Sequence, residues 1–91
     1  MTDSTPHRDR LDRAVRLLQS GELPEAETLC QEILAQYPDC ADAHHLLSHV
    51  HARRGDPARA TASLNRAILA APTSPDLHMS LATMLMNAGD F

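Results

Sequence analysis

The sequence predicts an all-α chain of antiparallel helix-turn-helix repeats stacked side by side, and three observations predict it. Gly21, Gly55 and Gly89 recur at intervals of 34 residues, each followed by an acid (Glu22, Asp56, Asp90). The same interval joins Ala26 to Ala60, Pro38 to Pro72, and Ala14 to Ser48 to Ala82. A fixed period of this size marks a solenoid whose units bury their apolar faces against one another. The chain is also rich in Ala and Leu, has no Trp, and carries Tyr37 and Phe91 as its only aromatics. That usage favours helix over strand. Finally, the prolines and glycines fall where helices should open and close rather than inside them.

Five helices follow in order. Thr5-Pro6 can cap and start the first, over about 6–20, with Leu11, Ala14, Val15, Leu17 and Leu18 on one broad stripe. Gly21 ends it. Pro24 opens the second, which runs to about Tyr37 with Ala26, Leu29, Cys30, Ile33, Leu34 and Tyr37 at three- and four-residue steps. Pro38 blocks its continuation. The third, about 41–54, buries Ala43, Leu46, Leu47 and Val50 and stops at Gly55. Asp56-Pro57 starts the fourth, about 57–71, with the stripe Ala60, Leu64, Ala67, Ile68 and Ala71. Ser74-Pro75-Asp76 starts the fifth, about 75–88, which should end at Gly89. Connections this short force antiparallel hairpins. The small residues Ala14, Ser48, Ala26, Ala60, Ala67 and Ala82 are expected where helices approach closely.

Composition excludes several function classes. The net charge is −4 and all eight basic residues are Arg. Four of them (Arg8, Arg10, Arg13, Arg16) crowd the first helix, but Asp9 and Asp12 precede Arg13 and Arg16 by four positions and neutralise that face. With no uncompensated basic stripe and no interleaved aromatics, the pattern argues against nucleic acid. MTDSTP lacks the apolar core of a signal peptide and no run is long enough for a membrane span. Two cysteines, Cys30 on an apolar stripe and Cys40 in a turn, make no disulfide framework. Cytoplasmic residence with reduced thiols is the expectation. Nucleophilic catalysis lacks its parts, since no Cys or Ser has an identifiable base and the glycines are helix stops. The chain is expected not to be an enzyme and to need no cofactor.

The 34-residue helix–turn–helix spacing resembles the tetratricopeptide repeat (TPR). The middle unit matches that pattern with His44, Leu47, Ser48, His51, Gly55, Ala60, Leu64, Ala67 and Pro72, and the first with Ala14, Leu17, Gly21, Ala26, Cys30 and Pro38. Arg10 and Arg13 replace the usual large apolar residues there, as suits a first unit with no predecessor. The third supplies His78, Leu81, Ala82, Leu85 and Gly89 and stops at Phe91. The resemblance implies a right-handed superhelix of about five helices, divided as tail 1–6, repeat one 7–40, repeat two 41–74, and the first helix of repeat three 75–91. Leu77, Leu81, Met84 and Leu85 would then lack a sequential sixth helix. The expectation is that the chain is the front of a longer protein, with self-association through the uncapped fifth helix as a secondary expectation.

The resemblance also implies a concave groove lined by the first helix of each unit. Leu11, Val15 and Leu18 would face it from the first helix, His45, His49, Ala52 and Arg53 from the third, and Met79, Thr83, Met86 and Asn87 from the fifth. The implied function is protein–protein interaction with a peptide or protein surface. One subgroup of the family grips the C-terminal carboxylates of chaperones with Lys, Arg and Asn. This chain has no Lys, and Leu11, Val15, Leu46, Asp76 and Ser80 stand where those grips would be. Two other readings stay open: a recruiting arm of a bacterial enzyme of glycosyltransferase, sulfotransferase or hydroxylase type, or a self-assembly element.

The histidines offer a sharper alternative. His44, His45, His49 and His51 share one helix, and His45 and His49 are four apart, a spacing that can bring two imidazoles to one metal. A structural zinc site takes four ligands, however, and a helical metalloprotease motif has a Glu between its histidines. Neither is present, so no metal is expected. His44, His51 and His78 are expected to pack between helices as ring-sized fillers.

Overall fold

The computed structural model describes residues 8–88, and among them every regular element is an α-helix. In chain order these are α1 (Arg8–Gln19), α2 (Leu23–Gln36), α3 (Ala41–Arg53), α4 (Pro57–Ala70) and α5 (Pro75–Ala88). The expected cap at Thr5-Pro6, the stop at Gly89 and the side-chain placements of Leu85 and Asn87 lie outside the described residues. Consecutive helices pack against one another, and α1 also reaches α3. The Cα trace spans 47 × 30 × 20 Å, longer in one direction as stacking in a row requires.

The periodicity in the sequence is a periodicity of backbone hydrogen bonds. At the end of α1, Glu22 N–H reaches the Leu17 carbonyl at 2.9 Å and Gly21 N–H the Leu18 carbonyl at 3.1 Å. At the end of α3, Asp56 N–H reaches His51 at 2.9 Å and Gly55 N–H reaches Ala52 at 3.1 Å. Both are Schellman closures, which need a residue in the left-handed region. Gly21 (φ +85) and Gly55 (φ +80) occupy it. The turns between hairpins also repeat. Cys40 N–H bonds the Tyr37 carbonyl and Ser74 N–H the Ala71 carbonyl, at 3.0 and 3.2 Å. Asp56 caps α4 by accepting Arg59 N–H at 3.2 Å, with Pro57 pre-set in the first turn.

Burial follows the apolar stripes. Leu11, Ile33 and Ala43 form one cluster joining α1, α2 and α3, and Ala14, Cys30 and Leu47 form a second beside it. Leu64, Ala67 and Leu77 form a third, closed by Ile68, Leu81 and Met84. Ala14, Ala26, Ser48, Ala60 and Ala67 are buried, as close helix approach demands. Ser48 Oγ donates to the His45 carbonyl at 2.6 Å, so its buried hydroxyl is satisfied within its own helix. Ala82 departs from expectation: it is exposed, because no described helix packs on that side of α5. An Arg54–Glu27 ion pair joins the end of α3 to α2.

Candidate functional site

The candidate row consists of the first helix of each hairpin, α1, α3 and α5. Two polar bridges hold these helices together. Arg53 Nη1 donates to the Leu18 carbonyl at 2.5 Å, joining α3 to the last turn of α1. That carbonyl lies at a helix C-terminus, where a cation is favoured. His45 Nε2 lies 3.0 Å from Ser80 Oγ, joining α3 to α5. Both bridges span 35 residues, one period plus one.

His45 also faces His49. Their Nε2 atoms are 3.2 Å apart, and the rings lie 4.7 Å between centroids at a 40° tilt. One nitrogen of such a pair donates and the other accepts, so at least one ring is neutral. Burial lowers the pKa of His45 below the usual imidazole value, while Asp42 and Asp76 pull it the other way. Burial also lowers that of His49, and the charge on His45 adds to the effect.

The remaining groove candidates divide. Leu11 is only 6% exposed and packs against Ile33 and Ala43. It belongs to the core rather than to a groove wall, because α1 turns that position toward α2 and α3. Val15 and Leu18 are half-buried, and Ala52 and Arg53 are exposed. Met79 and Met86 are 68% and 74% exposed. Thr83, between them on the same face, is exposed and returns its hydroxyl to the Met79 carbonyl at 3.0 Å.

His44 and His78 are not simple ring-sized fillers. His44 Nε2–H donates to the Pro38 carbonyl at 2.9 Å and His78 Nε2–H to the Pro72 carbonyl at 2.7 Å. A carbonyl only accepts, so the tautomer is fixed in both. His44 is buried, whereas His78 is exposed. Ser80 was missed as a partner of His45. The signal for it was the period itself, since a residue one repeat and one position onward lies on the neighbouring inner helix.

Among the described residues, no group of three or more His, Cys, Asp or Glu side chains is placed to hold a metal ion. Likewise, no described helix is long and apolar enough to cross a membrane. Burial pushes the Cys30 thiol up to about 11, with the nearby Cys40 and Glu27 adding to the shift. It is therefore a packing group and not a nucleophile.

Comparison with known proteins agrees with this architecture. The family model described as the tetratricopeptide repeat matches residues 11–75 and again residues 45–91. The chain is also similar to a protein named as a probable biofilm formation methyltransferase, WspC, of Pseudomonas putida, at 31% identity over 75 residues. That alignment covers 82% of this chain but only 18% of the relative. No solved structure matches. With two overlapping family matches that together run from Leu11 to the last residue, the chain belongs to the tetratricopeptide-repeat family.

Proposed function

We propose that this chain is a protein-interaction module in which the row α1, α3, α5 receives a peptide or a protein surface and carries out no chemistry of its own. The observation behind the reading is the pair of bridges, Arg53 to Leu18 and His45 to Ser80, which keep the inner helices side by side. Beside them, Met79 and Met86 hold their thioethers in the open. Flexible, polarisable side chains of this kind pack against varied apolar partners. The reading places the protein in the cytoplasm.

A peptide library selected on the intact protein supplies the test. Peptides so obtained should lose about tenfold or more in affinity for a Met79→Glu/Met86→Glu variant, as expected for central apolar contacts. They should keep it for Leu69→Glu, since Leu69 is an exposed apolar residue on α4 and not on the inner row. Equal affinity for all three proteins would remove α5 from the site.

A second reading, that the module recruits substrates or partners for an enzyme, is favoured by the methyltransferase relative, of which this chain spans 18%. Deleting this segment from such an enzyme should leave turnover of a small substrate unchanged and lower turnover of a protein-borne one. Equal loss on both substrates would count against recruitment. A third reading, self-assembly through α5, would appear as a mass that rises with concentration in light scattering.

A further inference from the structure

His45 and His49 place two imidazole nitrogens from one helix 3.2 Å apart, on the side of α3 that meets α5. We infer that this pair is a binding site for a divalent transition-metal cation of the imidazole-preferring class (Cu²⁺, Ni²⁺ or Zn²⁺), set between α3 and α5.

The spacing carries the argument. Two neighbouring ligands each about 2.0–2.1 Å from a metal stand about 2.9–3.4 Å from one another in octahedral or tetrahedral geometry. The observed separation lies inside that range, so an arriving ion needs a rotation of the rings in which His45 Nε2 gives up its contacts with His49 and Ser80. A four-residue step on a helix sets two side chains one above the other on one face, which is what a chelating pair requires.

Two carboxylates offset in part the burial that disfavours positive charge at the pair. Asp42, one turn before His45, and Asp76, one turn before Ser80, both act on His45 electrostatically. The Ser80 hydroxyl, 3.0 Å from His45 Nε2, can orient a metal-bound water from the opposite helix. Nitrogen ligands favour copper, nickel and zinc over magnesium and calcium, which prefer all-oxygen shells. The neighbouring histidines are otherwise engaged, because His44 and His78 donate their Nε2 hydrogens to proline carbonyls.

With two protein nitrogens the remaining positions are left to solvent. The site is therefore open and exchangeable, unlike a closed four-ligand structural zinc. An ion there would join the second repeat to the third through groups already in contact.

Calorimetric titration with NiCl₂ and with ZnCl₂ tests the inference, using the 91-residue chain with Cys40→Ser to remove the more accessible thiol. One equivalent should bind, and His45→Ala and His49→Ala should each weaken binding by about tenfold or more. His78→Ala should leave it unchanged. No binding at millimolar metal, or undiminished binding in both groove variants, would overturn the inference. Since removing a half-buried ring can disturb folding, nuclear magnetic resonance of the unsubstituted chain gives an independent reading. Substoichiometric Cu²⁺ should broaden the ring signals of His45 and His49 first, and broadening centred on any other histidine would reject the site.

Discussion

His44 and His78 stand one period apart, and each donates its Nε2 hydrogen to the carbonyl of a proline six residues upstream, Pro38 or Pro72. The proline ends the preceding helix, and the histidine of the next one ties that end down. The bond is the same in both repeats but its surroundings differ, since His44 is buried and His78 is exposed. Truncating His44 removes a buried ring together with its hydrogen bond, at a cost of about 1–3 kcal/mol. His44→Ala should destabilise the fold by that amount and His78→Ala by a few tenths of it. Urea unfolding of the two variants checks the ranking, and equal losses would mean that burial does not set the cost.

Ala60 is 1% exposed within the tightly packed α3–α4 pair. Ala60→Leu should cost about 1–3 kcal/mol through overpacking. Ala82→Leu, on the exposed side of α5, should stay within about half a kcal/mol. Thermal melts of the pair give the comparison.

Gly55 separates backbone strain from crowding. A methyl built on it meets nothing within 4 Å, yet its φ is +80. Gly55→Ala should therefore cost about 1–2 kcal/mol for the left-handed backbone alone. Gly55→Asn should cost less, because Asn tolerates that region. If both variants melted with the native chain, the closure at the end of α3 would not require that conformation.

The two thiols should differ in reactivity. Iodoacetamide should modify Cys40, which is only partly buried, well before Cys30, whose thiol is shielded and pushed up to about 11. Peptide mapping by mass spectrometry reads the order. The same shift sets a sign for stability. The unfolded thiol ionises near 9.0, whereas the folded one holds its proton up to about 11. The contribution of Cys30 is thus complete below the lower value and is lost as pH rises through the higher one. Cys30→Ala should flatten that part of the alkaline stability curve.

Helix order, stops and starts were legible in the residues because they rest on local chemistry. Gly21 and Gly55 occupy the conformation that ends a helix, and Asp56 the position that begins one. The side chains of the inner row were less legible. A stripe of apolar positions does not state which part of it the next helix will cover, and this hid the burial of Leu11. Arg53 looked like a group for a partner, but it already holds the Leu18 carbonyl. The facing of His45 toward Ser80 follows from the 35-residue offset between neighbouring hairpins, a relation visible in the period and not in the pattern of either helix alone. Ala82 repeats the position of Ala14 and Ser48 yet lacks their neighbour.

The Ser80 hydroxyl already occupies the polar edge of His45. An incoming group that wants that nitrogen must evict a resident, so contact there is barter: one bond surrendered for one gained. Such trades are nearly neutral for a matching newcomer and a net loss for a poor one. Only a newcomer that engages both imidazoles at once and leaves the serine a fresh partner comes out ahead, so that corner of α3 is selective about its visitors.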